Sequence, residues 1–579
     1  MDVMVISTIG VLVIVAVTAF APRVGVAAPL LLVAAGVAIG FLPFVPEVDV
    51  DPEWILAGLL PPLLYSSAVN MPTMDFRRDF RTISAFSVIL VVVSALVVGY
   101  TIHFLVPDVG LATGIALGAI VSPTDAVATA IVRKSGVSPR VVTVLEGESL
   151  LNDASALVLL RSAVAATAGA VSLWGVAGDF VFAVVVAVAI GFAVGRVNLL
   201  VRSKLSEAPA SVAVSFVVPF VAFAPAEHLG ASGLVAAVTA GLVTGHGSPR
   251  YLRAEDRINE RIVWRTIEML LEGTVFLVMG VELYALVEDV RDQHGSLWLA
   301  LGLGGVTALL VLAVRAAFIT VSLWLLARRA RRGPVVREKL EEIRADLDRG
   351  TFRKPADGAD ERVHDAYRKR LRHARIRTSQ RISDIDYLTQ QALGPREGVV
   401  LLWAGMRGAV TLAAAQSLPP DTTQRSVLIL VAFVVAAGTL IVQGGTLRRL
   451  VRRLGLADAG NGAPDDDREL RRHLADLARA RLDDPSLRRA DGSAYSPDVV
   501  ARVSERVGAR ADEIPEDAGT HAEVAELRDL FADLIDNERR ELLRLRDVGT
   551  YSSQALARAL RRLDSVQIGM QVRASQDDD

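Results

Sequence analysis

The chain has 579 residues, of which 52% are apolar and 22% charged, with a formal net charge of −2 and no cysteine. The balance of charge gives no reason to expect a nucleic-acid partner, and the absence of thiols excludes disulfides and thiolate metal sites. The apolar residues are not dispersed over several soluble domains but collected into runs of about 18 or more, the length that crosses hydrocarbon.

In chain order these runs predict about thirteen transmembrane spans. They fall at 3–20, 28–45, 54–70, 83–106, 111–133, 143–168, 173–200, 209–228, 231–246, 262–284, 297–327, 397–418 and 425–447. Met1-Asp2-Val3-Met4 has no basic n-region, so no cleaved signal peptide is expected. Alternate connections carry the basic residues. One set includes Arg77, Arg78 and Arg81, then Arg133, Lys134 and Arg140, and later Arg328 to Arg332 and Arg448 to Arg453. The other set, which includes Val45–Asp51, Val106–Val109 and Glu227–Gly230, holds almost none. The positive-inside rule then places the N-terminus outside and the C-terminus in the cytoplasm of a multi-pass protein in contact with lipid.

Two cytoplasmic segments remain. Residues 328–396 form a charged insert in which Glu338–Leu347 has the opposite charges, three and four apart, of a solvated helix. Residues 454–579 form a tail. Asp458–Asp467 reads as a linker, Glu469–Leu482 and Ala522–Leu545 have helical apolar spacing, and Ser575–Asp579 is expected to be disordered. No catalytic constellation appears, so the tail is expected to be a helical regulatory or assembly module with a regulatory ligand or partner.

The informative residues are acidic groups inside apolar spans, because a charge at the bilayer centre costs roughly 2.5–3.5 kcal/mol. Asp125 lies in Ser122-Pro-Thr-Asp-Ala126, and the next span holds Glu146-Gly-Glu-Ser-Leu-Leu-Asn-Asp153. At ~1.5 Å per residue, Asp125 lies ~12 Å from the cytoplasmic end of the fifth span, and Asp153 and Arg407 lie ~15 Å into the sixth and twelfth. Pro123 and Gly405-Met-Arg-Gly408 should interrupt the fifth and twelfth spans, and paired interruptions in two halves of a chain point to a transporter site. The span order suits two inverted six-helix repeats. Ser149 and Asp153, four apart, share a helix face, with Asn152 beside them. Hydroxyl, carbonyl and carboxylate oxygens suit a dehydrated alkali cation. The same carboxylate takes a proton, and burial disfavours its bare charged form.

At these residues the chain resembles the monovalent cation/proton antiporters of the NhaP and NHE type. The resemblance is carried by Ser122–Ala126, Glu146–Asp153, Gly405-Met-Arg-Gly-Ala-Val410, Leu60-Pro-Pro-Leu-Leu64 and Leu270–Gly280, and covers about residues 1–450. It implies sodium/proton exchange across the plasma membrane, electroneutral and one-for-one, with roles in cation transport and pH homeostasis and with no cofactor; the Ala-, Val- and Arg-rich composition suggests a bacterial source. Asp153 would be the shared cation/proton carrier, with Asp125, Thr124, Ser149 and Asn152 around it. Sodium would be held by Asp153, Ser149 and Thr124. Glu148 and Arg407 would form a buried ion pair. The implied fold is an all-α homodimer whose core (about 83–168 and 297–447) moves against dimerisation helices (about 3–70 and 209–284). The chain departs from the family pattern at Ser66, where an acidic residue is common, at Ala154, where glycine is common, and at Arg161, an added charge.

Several residues keep two readings. Asp125 serves the ion, or it orients Asn152 or caps a broken helix end. Arg315 is either a core partner or snorkels. Glu268, Glu272 and Glu282 line an access funnel, or Glu268 pairs with Arg265. His228 and His246 sit at span ends, where solvation is expected. Potassium/proton exchange is the alternative within the same class. An intramembrane aspartyl protease using two membrane aspartates is the alternative outside it, as is a sensor whose output is the tail.

Overall fold

The computed structural model describes residues 3–42, 51–168, 173–292, 296–349, 360–457, 464–489, 491–509 and 521–577. Among these residues the chain is helical throughout, with no strand. Most of the Val45–Asp51 connection, the first part of the 458–467 linker, and Asp578 and Asp579 lie outside the described residues.

The first helices are α1 (Val3–Val24), α2 (Ala28–Gly40), α3 (Leu60–Asn70), α4 (Thr73–Ser84), α5 (Leu90–Leu105), α6 (Leu111–Ile120) and α7 (Ala126–Lys134). Long helices follow: α8 (Pro139–Ala168), α9 (Leu173–Arg202), α10 (Ala208–His228), α11 (Gly233–Tyr251), α12 (Ala254–Asp292) and α13 (Leu297–Ala330). The chain continues through α14 (Gly333–Arg349), α15 (Glu361–Gln390), α16 (Pro395–Trp403), α17 (Ala409–Gln416), α18 (Arg425–Thr439) and α19 (Gly445–Arg453). It ends with α20 (Pro464–Leu482), α21 (Pro497–Ala509), α22 (His521–Val548) and α23 (Ser553–Asp577). Short π-helical turns at Trp54–Leu59, Ala85–Ile89 and Leu440–Gly444 lead into α3, join α4 to α5, and join α18 to α19. Such wide turns occur mostly as single insertions within α-helices, often near functional sites.

Among the described residues, eight helices are long and apolar enough to cross a membrane, and three apolar helical segments are shorter. Two of the expected spans are each divided in two: α6 with α7, and α16 with α17. Close packing depends on small residues. A Cβ on Gly114 of α6 would stand 2.6 Å from the Gly99 carbonyl of α5, a contact that no side chain tolerates.

The chain divides into two compact units. The first holds residues 1–251, 259–327 and 393–460. Its interior is an apolar cluster of small and branched residues from almost every helix, including Ile83, Ala95, Leu117, Val144, Val400 and Val431. The second holds residues 252–258, 328–392 and 461–579, so the insert and the tail form one body. There Leu340 and Leu347 are buried on α14, which makes the predicted solvated helix an amphipathic one. The Gln380 amide of α15 donates to the Asp547 carbonyl of α22 at 2.7 Å. Leu482, Leu487, Val499, Val503, Leu527 and Leu530 close the tail's own core. The predicted helical stretches Glu469–Leu482 and Ala522–Leu545 lie within α20 and α22. The expectation of a disordered C-terminus is corrected as far as Asp577, where α23 ends.

Candidate functional site

The helix interruptions fall where the sequence weakens the backbone. α6 stops at Ile120 and α7 starts at Ala126. Pro123 in the gap has no N–H for a helix ladder. α16 stops at Trp403 and α17 starts at Ala409, with Gly405 and Gly408 in that gap. The two gaps meet. Asp125 N–H donates to the Met406 carbonyl at 2.9 Å, and Arg407 Nε donates to the Val121 carbonyl at 2.7 Å. Irregular backbone is tolerated at membrane depth only where protein covers it and satisfies its polar groups. Here each gap supplies the other's partners.

Four broken helix ends leave N–H groups and carbonyls without intrahelical partners, with partial positive charge at N-termini and negative at C-termini. The side chains match these signs. Asp125 caps α7, its Oδ1 accepting the Val127 N–H at 2.9 Å, and its carboxylate also stands over Gly408, the N-cap of α17. The Arg407 guanidinium covers the end of α6, donating to the carbonyls of Val121 and Ser122 and to that of Gly405. Arg315 of α13 covers the end of α16, donating to the Leu401 carbonyl from Nε (3.0 Å) and Nη2 (2.9 Å).

The structure brings the predicted ion-binding residues together. Ser149 Oγ donates to the Thr124 carbonyl at 3.0 Å, and Asn152 Nδ2 donates to Thr124 Oγ1 at 3.0 Å. Thr124, Ser149, Asn152 and Asp153 are all buried. Asp153 lies within electrostatic range of Asp125. Neither aspartate forms an ion pair among the described residues. Asn152 Oδ1 and Asp125 Oδ2 are buried acceptors with no hydrogen-bond donor. Of the two readings of Asp125, the helix cap is formed.

One expected pair is corrected. Glu148 does not pair with Arg407. It takes a bidentate contact from Arg315, Nη1 to Oε1 and Nη2 to Oε2 (2.8 Å), with both side chains only 1% exposed. Arg407 is turned aside by the orphan carbonyls of its own crossing, and its backbone N–H donates to Thr439 Oγ1 at 3.0 Å. Arg315 is thus a core partner.

The flanking acidic residues take separate roles. Ser66 donates its hydroxyl to Glu268 of α12, and Arg265 lies within electrostatic range of the same carboxylate. Glu146 pairs with Arg133, and Arg161 pairs with Glu227 at 2.9 Å. His228 and His246 are exposed, and the latter lies 3.2 Å from Thr73 Oγ1.

The sequence profile described as "Sodium/hydrogen exchanger, transmembrane" matches residues 9–453. The chain belongs to this family. It is therefore a multi-pass membrane transporter performing cation/proton exchange and not an enzyme, which removes the protease reading. An uncharacterized Na(+)/H(+) exchanger of Mycobacterium tuberculosis is 29% identical over 524 residues, 89% of this chain and 85% of that one. A sodium, potassium, lithium and rubidium/H(+) antiporter of Bacillus subtilis is 31% identical over 266 residues, 44% of this chain and 39% of its own. In fold, the exchanger is similar to the sodium proton antiporter MjNhaP1 of Methanocaldococcus jannaschii. That match has a TM-score of 0.55 at 16% identity and covers 78% of this chain and 98% of that one.

Proposed function

We propose that the protein exchanges sodium for protons one-for-one, with both ions competing for the Asp153 carboxylate. The observation that carries this reading is a buried aspartate with no ion pair among the described residues, on the same helix as Ser149 and Asn152, which both hydrogen-bond Thr124 of the broken crossing. A bare carboxylate in a low-dielectric interior is costly. It is relieved by a proton, or by a cation whose lost water is replaced by protein oxygens. Carboxylate, hydroxyl, carbonyl and the free Asn152 Oδ1 are ligands of that kind. A loaded site is close to neutral and can change sides, whereas an empty one stays where water reaches it. Exchange follows without a cofactor.

On the same reading, thirteen crossings in two inverted repeats place the N-terminus outside and the C-terminus in the cytoplasm. A core of about 83–168 and 297–447 moves against a dimer-forming scaffold of about 3–70 and 209–284, and the body built from insert and tail tunes the exchange. Potassium/proton exchange is the second reading, favoured by the range of cations for which the Bacillus subtilis relative is named.

Proteoliposomes with imposed sodium, lithium or potassium gradients test both readings. Proton flux with sodium, lost in Asp153→Ala, is the expected result; full flux in that variant rejects the shared carboxylate. A valinomycin-imposed potential should drive no uptake, and uptake driven by potential alone would rule out one-for-one exchange.

A further inference from the structure

The crossing leaves no room for a side chain at one position. Gly408 has an extended backbone, with φ −122° and ψ −166°, which any residue can adopt. Its need for glycine is therefore a matter of space. A Cβ built there would overlap Asp125 Oδ2 and would lie 2.5 Å from its Cγ and 3.0 Å from its Cβ. Real Cβ atoms do not come this close to carboxylate carbons, so Asp125 would have to move. Asp125 cannot simply swing away. Its N–H is held by the Met406 carbonyl at 2.9 Å, and its Oδ1 holds the Val127 N–H at 2.9 Å. Relief of the overlap therefore breaks the cap of α7 or opens the crossing between the two gaps. Either change moves a negative charge within electrostatic range of Asp153.

We infer that Gly408 is a positioning residue for ion exchange, and that its missing side chain fixes where the Asp125 carboxylate stands relative to Asp153. This rests on the reading of Asp153 as the shared carrier. Gly408 touches neither ion and acts through Asp125. The neighbouring Gly405 is different, because a Cβ there would meet the Arg315 side chain instead.

The test is Gly408→Ala in purified full-length protein, read in two ways. In proteoliposomes the variant should raise the cation KM roughly ten- to hundredfold, the scale of a misplacement of about an ångström, and should shift the pH profile of exchange. A wild-type KM with an unshifted profile would overturn the inference. The second reading is a stability cycle in detergent. Gly408→Ala should lower the melting temperature in the wild type by more than twice what it costs in an Asp125→Ala background, where only the Cβ of residue 125 remains. Equal losses in the two backgrounds would overturn it. If Gly408→Ala alone fails to reach the membrane, the double variant decides: recovery to the level of Asp125→Ala supports the inference, and continued failure refutes it. Absence of sodium- or potassium-driven proton flux in the wild type would reject the transport reading, while the stability cycle would still report on the steric coupling.

Discussion

Glu148 and Asp153 are five residues apart on α8, and both are buried, yet their surroundings differ completely. Glu148 is met on both oxygens by Arg315, which is itself anchored to the Leu401 carbonyl. Asp153, on the same helix as Ser149 and Asn152, forms no ion pair among the described residues. The first arrangement spends its charge on holding α8 to α13 and α16. The second leaves a charge to be neutralised by whatever arrives. Burial alone does not mark an ion site; the difference lies in whether the protein has already supplied the counter-charge.

The largest effect should come from the unpaired carboxylate. Asp153→Asn should reduce sodium-dependent proton flux in liposomes to the protein-free background while leaving the melting temperature at or above that of the wild type, since a buried charge is removed. A loss of stability comparable to that of Arg315→Ala, which strips Glu148 of its partner, would erase the contrast between the two regions.

Next comes the paired carboxylate. Arg315→Ala should cost about 3–5 kcal/mol, because it leaves Glu148 as an uncompensated buried charge. The concerted change Glu148→Gln with Arg315→Met should cost less than Arg315→Ala. Melting curves in detergent would check both, and a double variant no more stable than the single one would show that Arg315 acts through Leu401 and not through Glu148.

Asn152→Ala sharpens the comparison on the ligand side. Removing one neutral oxygen and the bond to Thr124 should weaken cation affinity by about tenfold, the equivalent of one hydrogen bond of about 1–1.5 kcal/mol. Sodium-dependent quenching kinetics measure this, and an unchanged KM would take Asn152 out of the site.

The smallest effect belongs to the second unit. The two hydrogen bonds from Arg544, with His473 at 2.9 Å, hold the Glu541 carboxyl below its ordinary range. A depressed folded value means that the contact is fully present above the ordinary glutamate range and is lost as pH falls through the lower value. Corrected for its intrinsic pH dependence, hydrogen exchange of α22 in the full chain should therefore hold steady from about pH 7 to about pH 5 and quicken modestly as pH falls below about 4. Glu541→Gln should flatten that change, and an identical pH response in the variant would assign it to other groups.

Much of this was legible in the residues because proline and glycine act locally. Pro123 and the Gly405–Gly408 pair mark both interruptions, and the four-residue spacing of Ser149 and Asp153 places them on one face. The partner of Glu148 was not legible. Arg315 and Arg407 both lie deep in apolar runs and both donate to orphan carbonyls, so the choice between them depends on which guanidinium the assembled crossing leaves facing Glu148. Nor could spacing reveal that residues 328–392 and 461–579 share one body, since no local pattern records contacts across the intervening membrane helices.

That shared body has a consequence for biogenesis. The ribosome releases α15 while α16 to α19 are still unmade, and the Asp547 carbonyl that receives Gln380 is synthesised later still. Because folding during translation proceeds from the N-terminal side, the second unit must wait with α15 unpartnered until the last helices emerge. A nascent chain arrested just past Arg453 should therefore expose α15 to protease, and a premature stop codon in the tail would strand the insert and the tail together.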